Sequence, residues 1–215
     1  TSPFALNRTF NSIGAEINGA FGYGWAFQYD VSLALRSGGI YVLRLGDGRT
    51  VWFQWDGSKY AADSDKHYTF TKISTGYAVT ETQTQLTYVF NWNGELTALE
   101  DVGGNAAKFV YADHQLTGIT TPAGYVIGVS CDDKDRITSF SLPDGKSIRY
   151  TYDENGNLVS ITDQENRKTS YTYDECHRLT AVTDPEGTVT VKNAYDGAGR
   201  VLFQRDGNGN QATLA

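Results

Sequence analysis

The 215-residue chain has no methionine, four prolines and two cysteines, and no apolar run near the roughly 18 residues a membrane-crossing helix needs. Two cysteines cannot form a disulfide framework. There is no surplus of basic residues either. Eighteen Lys and Arg against 25 Asp and Glu leave a net charge of −7, so the counterion-displacing surface that a nucleic-acid partner requires is missing. With no methionine even at position 1 and no charged-plus-apolar leader, the chain is expected to be an excised fragment or a processed chain. Amphipathic helices are missing as well. No window carries apolar residues at i, i+3, i+4 and i+7 over three turns without a glycine or β-branched interruption.

What is abundant is aromatic and turn-forming: 14 Tyr, 10 Phe, 4 Trp and 23 Gly. That composition specifies strands joined by tight turns, hence an all-β chain, large enough for one sizeable β domain or two small ones. From Leu86 onward it is periodic. The aliphatic anchors Leu96, Leu116, Ile137, Leu158, Leu179 and Val201 are spaced by 20, 21, 21, 21 and 22 residues. Eight residues after each anchor stand Gly104, Gly124, Gly145, Asn166, Gly187 and Gly209, residue types that accept the positive φ of a turn. Six residues before each anchor stand Phe90, Val110, Cys131, Tyr152, Tyr173 and Tyr195. Three after it come Leu99, Ile119, Phe140, Ile161 and Val182.

Each unit reads as two strands and two turns. In one copy Ser147 to Tyr152 is a strand, Asp153 to Gly156 a turn, and Leu158 to Thr162 the return. Tyr150 and Tyr152 share a face, as do Tyr171 and Tyr173, so tyrosine is expected to stack on tyrosine from unit to unit. The anchor and the residue three beyond it differ in parity. Either both faces of the sheet are covered or a bulge switches the register. Residues 1–85 lack the period but still alternate as strands, with hairpin signals at Asp47-Gly48 and Asp56-Gly57. With no linker between the two regions, 1–85 and 86–215 are expected to form one continuous sheet structure.

Tyr152-Asp153-x-x-Gly156-x-Leu158, Tyr173-Asp174-x-x-x-x-Leu179 and Tyr195-Asp196-x-x-Gly199-Arg200-Val201 resemble the YD repeat, Tyr-Asp-x-x-Gly-Arg-Leu. Cys131-Asp132 and the shortened Tyr111 to Leu116 are worn copies. Leu6 to Ser12 followed by Gly22-Tyr23-Gly24-Trp25 is similar to the lead-in segment of Rhs proteins. The resemblance to the Rhs/YD-repeat family covers most of the chain. It implies a β-strip spiralling into a hollow shell around a C-terminal toxin or effector, in secreted or cell-surface proteins. It also implies a partner in the remainder of the parent polypeptide. Six units make about twelve strands, a strip of roughly 58 Å at ~4.8 Å per strand, or a ring only ~18 Å across. No folded toxin fits inside such a ring, so the chain is expected to be a piece of wall.

Candidate chemistry is sparse. His67, His114 and His177 form no metal-ligand spacing, and His114 and His177 fall in turns where solvated polar residues are expected. Cys176-His177 occupies a turn in place of Asn-Gly and reads as turn substitution, not as a nucleophile and base. Cys131 replaces a repeat tyrosine and is expected to be a small buried hydrophobe. It lies about four strands from Cys176, roughly 19 Å at ~4.8 Å per strand, too far for a disulfide. Asp101, Asp163, Asp184 and Asp206 recur in one turn column, opposite in arrangement to a catalytic carboxylate pair. Asp184-Pro185-x-Gly187 resembles the self-cleavage motif of some Rhs cores but lacks its aromatic surroundings. No catalytic residue, cofactor or metal is therefore expected.

Trp52, Trp55 and Trp92 are expected in the core. Tyr23 and Trp25 read as a glycine-kinked plug, with stacking on a sugar ring as the alternative. The leading functional reading is a non-catalytic shell segment, and the second is a carbohydrate or cell-surface binding module. A strip cut from a spiral would end on an edge near Val201 to Arg205, followed by Asn208-Gly209-Asn210-Gln211, and so invite edge-to-edge self-association.

Overall fold

The computed structural model describes residues 5–63, 67–207 and 210–213. Among them every regular element is a strand apart from one 3-10 turn, Ser37–Gly39. The chain divides into two compact units. One comprises Thr1–Asn7 with Gln28–Gly128, the other Arg8–Phe27 with Val129–Ala215.

In the first unit the strands from Ser32–Arg36 to Gln115–Thr120 pair antiparallel in sequence order. Leu43, Val51, Phe53, Val79, Phe90, Leu96 and Ile119 fill its core. Leu86–Phe90, the first strand of the periodic region, pairs with Gly76–Glu81, so the sheet runs through position 86 without a break. In the second unit the strands from Ile137–Ser141 to Gln211–Thr213 again pair in order. Its lead-in strands Arg8–Phe10 and Trp25–Phe27 pair with each other.

A bulge recurs at the repeat tyrosine and settles the parity question. Thr151 faces Ser160 while Tyr152 faces Leu158, so Val159 is an extra residue on the return strand. The same shift recurs at Tyr173/Leu179 and Tyr195/Val201. One extra residue converts an odd spacing to an even one, so Leu158 and Ile161 lie on the same buried face, as do Ile137 and Phe140. The anchor and the residue three beyond it thus feed one core.

In the regular repeats both turns share one design, whereas the shortened second repeat closes on a two-residue turn, Asp113-His114, with both residues at positive φ. After the tyrosine, Asp153 N donates to Asn157 O, Gly156 N donates to Asp153 O, and Asp153 Oδ1 accepts the Asn157 N–H at 2.8 Å. At the other end, Asp163 holds Asn166 and Arg167 in the same pattern. The fourth turn residue needs φ > 0, which Gly104, Gly124, Gly145, Asn166 and Gly187 supply in one column. Gly209 lies outside the described residues.

Four expectations are corrected. Trp52, Trp55 and Trp92 are about half exposed instead of core. Trp52 sits between inward-facing Val51 and Phe53, Trp55 lies where its strand outruns the core, and Trp92 is in a turn. In the shortened second repeat Tyr111, not Val110, takes the bulged position opposite Leu116, and Val110 points outward. The strand Val201–Asp206 is not an edge. Asp206 builds the usual turn with Asn210, and Gln211–Thr213 pairs back onto it. Asn208 and Gly209 of the expected tail lie outside the described residues. The fourth correction, to tyrosine stacking, concerns the joint between repeats.

Candidate functional site

The recurring contact between repeats is a hydrogen bond, not a stack of rings. Tyr152, Tyr173 and Tyr195 donate their hydroxyls to the carbonyls of Ile137, Leu158 and Leu179 at 2.6, 2.7 and 2.6 Å. Each acceptor is the anchor of the preceding repeat. The bulge leaves that carbonyl available, and the tyrosine satisfies it across one strand. Burial pushes the Tyr152 and Tyr173 hydroxyls far above the ordinary phenol range, so both remain protonated donors.

The residue just before each anchor completes the joint. Arg136 places its guanidinium 4.3 Å from the ring centroid of Tyr152, and Arg178 lies 5.0 Å from that of Tyr195. Each arginine is held by the aspartate four residues earlier, Arg136 by Asp132 and Arg178 by Asp174. Burial alone would raise Asp132, but the Arg136 guanidinium and the turn N–H groups outweigh it and hold the carboxyl below the usual range. Arg200 pairs with Asp196 in the same way. Tyr, Asp, Gly or its substitute, Arg and the anchor are therefore one device. Asp serves its own turn, Tyr reaches back to the preceding repeat, and Arg and the anchor carbonyl receive the next tyrosine.

Asn157 replaces arginine in the joint that receives Tyr173, and there the lead-in segment enters. Trp25 Nε1 donates to the Tyr173 hydroxyl at 2.8 Å, and Tyr23 stacks on His177 at 3.9 Å with 14° between planes. Phe10 packs between Trp25 and Tyr173. Phe21 packs on Phe140 and Tyr150, and Ala20 O accepts the Ile137 N–H. Trp25 is buried, so of the two candidate stacking residues only Tyr23 keeps exposed surface. His177 is half-buried instead of solvated and occupies the left-handed turn position, φ +62°.

Cys131 and Cys176 are not disulfide-bonded. Cys131 is half-buried, and burial, then the charges of Asp135 and Asp132, raises its thiol pKa. Among the described residues no three His, Cys, Asp or Glu side chains converge as a metal site. No helix among them is long and apolar enough to cross a membrane, which says nothing about spanning by strands.

The first unit holds an aromatic cluster that pattern reading missed. Tyr41 contacts Tyr60, Phe70 and Tyr77, with Trp55 against Tyr60 and Trp92 against Tyr77. Lys72 Nζ lies 5.4 Å from the Tyr60 centroid and 5.6 Å from that of Tyr41. A recess of about 530 Å³ opens beside Tyr41, Tyr77, Trp92 and Glu95. These residues come from consecutive strands and one turn with no common period, so no repeat column marks them.

The RHS Repeat family model matches residues 132–163 and 152–189, and a domain of unknown function, DUF6531, matches residues 1–53. No curated protein matches the chain. Among solved structures, the Photorhabdus luminescens Tc holotoxin pore (mutation TccC3-D651A) is similar at 15% identity and TM-score 0.45, over 86% of this chain and 12% of that one. The crystal structure of TcdB2-TccC3-Cdc42 is similar at 12% identity and TM-score 0.36, over 82% of this chain and 12% of the other. The chain thus spans about an eighth of the length of those structures. With their Tyr-Asp turns, repeated joint and family match, residues 132–189 are RHS repeats of the Rhs/YD-repeat family.

Proposed function

We propose that the chain is a non-catalytic wall segment of a larger Rhs-type shell, belonging to a longer secreted or cell-surface polypeptide whose shell encloses or displays a C-terminal toxin or effector. One observation carries the reading: the joint is shared between repeats. The repeats anchored at Ile137, Leu158 and Leu179 each supply an arginine or its substitute and an anchor carbonyl that receives the next repeat's tyrosine. Such a unit stabilises a continuing wall, and its polar groups are used in propagation instead of converging on a substrate. Arg200, three-quarters exposed and held only by Asp196 among the described residues, offers the same half-joint to a further Tyr-Asp repeat.

The test is to append one further 21-residue repeat whose tyrosine meets the Val201 carbonyl in the register of Tyr195 on Leu179. The extended protein should melt higher, by about 2–4 °C for each kcal/mol gained, and the gain should fall when the new tyrosine is alanine. An added repeat that stays protease-sensitive, with equal melting of the tyrosine and alanine versions, would overturn the reading.

A further inference from the structure

We infer that Gly156, Asn157 and His177 form an address that seats the lead-in segment Gly22–Trp25 on one particular pair of repeats, with Asn157 as the specificity-determining residue. At the neighbouring joints an arginine covers the incoming tyrosine. At this joint the residue is asparagine, fully used in place: Nδ2 donates to Asp153 at 2.9 Å, and Oδ1 faces His177 Nδ1 at 2.7 Å. Asn157 is buried. Its short side chain is used up between Asp153 and His177 and leaves the Tyr173 ring without the cover an arginine gives.

The vacated approach to Tyr173 is filled by Phe10 and by the Trp25 indole, whose N–H takes the hydroxyl oxygen as acceptor. An arginine at 157 would be held by Asp153, as Arg136 is by Asp132, and its guanidinium would lie over Tyr173 where the lead-in rings now sit.

Two further features make the address specific. Tyr23 N–H approaches the Gly156 carbonyl at 3.4 Å, and a Cβ on Gly156 would lie 3.2 Å from the Tyr23 ring. A Cβ on Gly22 would lie 2.3 Å from the Gly156 oxygen, so two glycines bring the backbones together. In the next repeat the residue in this turn position is His177, which gives Tyr23 a flat ring to stack on; in the following one it is Gly199, which offers none. Asparagine for arginine, glycine beside it, and an aromatic ring one repeat later occur together once among the described repeats, at the place where the lead-in segment docks.

Hydrogen–deuterium exchange of the whole chain tests this. Asn157→Arg should release the lead-in segment: the Trp25 indole N–H and the amides of residues 18–27 should exchange about tenfold faster or more, while strands 158–162 and 168–173 stay protected. Arg178→Asn, which makes the reverse exchange of residues at the next joint, should leave residues 18–27 as protected as in wild type. If Asn157→Arg does not fold, His177→Gly decides, because glycine suits the left-handed turn and removes the ring that stacks on Tyr23, together with its bond to Asn157. It should speed exchange at Tyr23 and Trp25 with the repeat strands unchanged. Unchanged protection of residues 18–27 in a folded Asn157→Arg protein, or in His177→Gly where the first does not fold, would overturn the address and leave the shell-wall reading untouched.

Discussion

Trp25 and Tyr173, 148 residues apart, are joined by a 2.8 Å hydrogen bond from the indole N–H to the phenol oxygen, which donates its own hydrogen to the Leu158 carbonyl at 2.7 Å. One hydroxyl thus serves the lead-in segment and the repeat joint together. Tyr173→Phe leaves a buried indole donor and a strand carbonyl without their partner, and is expected to cost about 1–3 kcal/mol. At Tyr195 the Leu179 carbonyl has a second donor, Asn193 Nδ2 at 2.9 Å, so Tyr195→Phe should cost less. Urea denaturation of both variants checks this, and equal losses would mean that the Trp25 bond contributes nothing.

The ion pairs inside the turns are expected to differ sharply in worth. The Arg136 side chain is 9% exposed and the Arg200 side chain 75%. Asn at 132 keeps the acceptor for the turn N–H groups but puts an NH2 donor where Oδ2 accepts from Arg136, so Asp132→Asn should cost about 3 kcal/mol by stranding a buried guanidinium. Asp196→Asn, facing a solvated arginine, should be indistinguishable from wild type. Because the folded state holds the Asp132 carboxyl below its ordinary range, the unfolded chain takes up a proton first as pH falls through about 4. The wild-type advantage over Asp132→Asn should therefore be full above that range and shrink steadily as pH falls below it toward the lower folded-state value. Melting curves from pH 7 to pH 3 would read it, and a gap independent of pH would refute the assignment.

Much of this is legible in the sequence, because repeats average out local accident. The anchor, tyrosine and glycine columns locate the strands, both turns and the left-handed residues at 145, 166 and 187. The joint is legible only in part. Arginine just before the anchor and aspartate four residues earlier recur at 132/136, 174/178 and 196/200, a signal present in the sequence. The acceptor is a backbone carbonyl, which no residue letter marks. Stacking of tyrosines is the wrong inference because a shared face does not say whether ring or hydroxyl makes the contact. The exposed tryptophans mislead for a related reason: alternation assigns a face but not where the core ends along a strand, and Trp55 lies past that end.

Thiol reactivity should separate the two cysteines. Cys176 is exposed in a turn, whereas Cys131 is half-buried with its pKa raised by burial and by neighbouring aspartates. Without reductant, the denatured chain should titrate two thiols, and the native protein should react first at Cys176 with Cys131 following more slowly. Mass mapping of a partially labelled sample identifies the order. Finding no titratable thiol would mean a bridge and would contradict the repeat register.

Two glycines at nearly the same φ are expected to respond differently to a side chain. Gly187 has φ +83°, and a Cβ added there would meet nothing within 4 Å, so only backbone strain opposes substitution. Gly187→Val should cost about 1–3 kcal/mol, and Asn166→Gly, in the same column, should change little. Gly22 has φ +80°, and its added Cβ would meet the Gly156 carbonyl oxygen at 2.3 Å. Neither atom belongs to a flexible side chain, so the two backbones must part. Gly22→Ala should therefore exceed Gly187→Val in cost despite the smaller side chain, with the loss concentrated in the docking of residues 18–27. Chemical denaturation gives the ranking, and limited proteolysis shows whether the lead-in segment is cleaved first. A Gly22→Ala protein as stable as wild type, with that segment still resistant, would mean that the close approach of Gly22 to Gly156 is not how the segment is held.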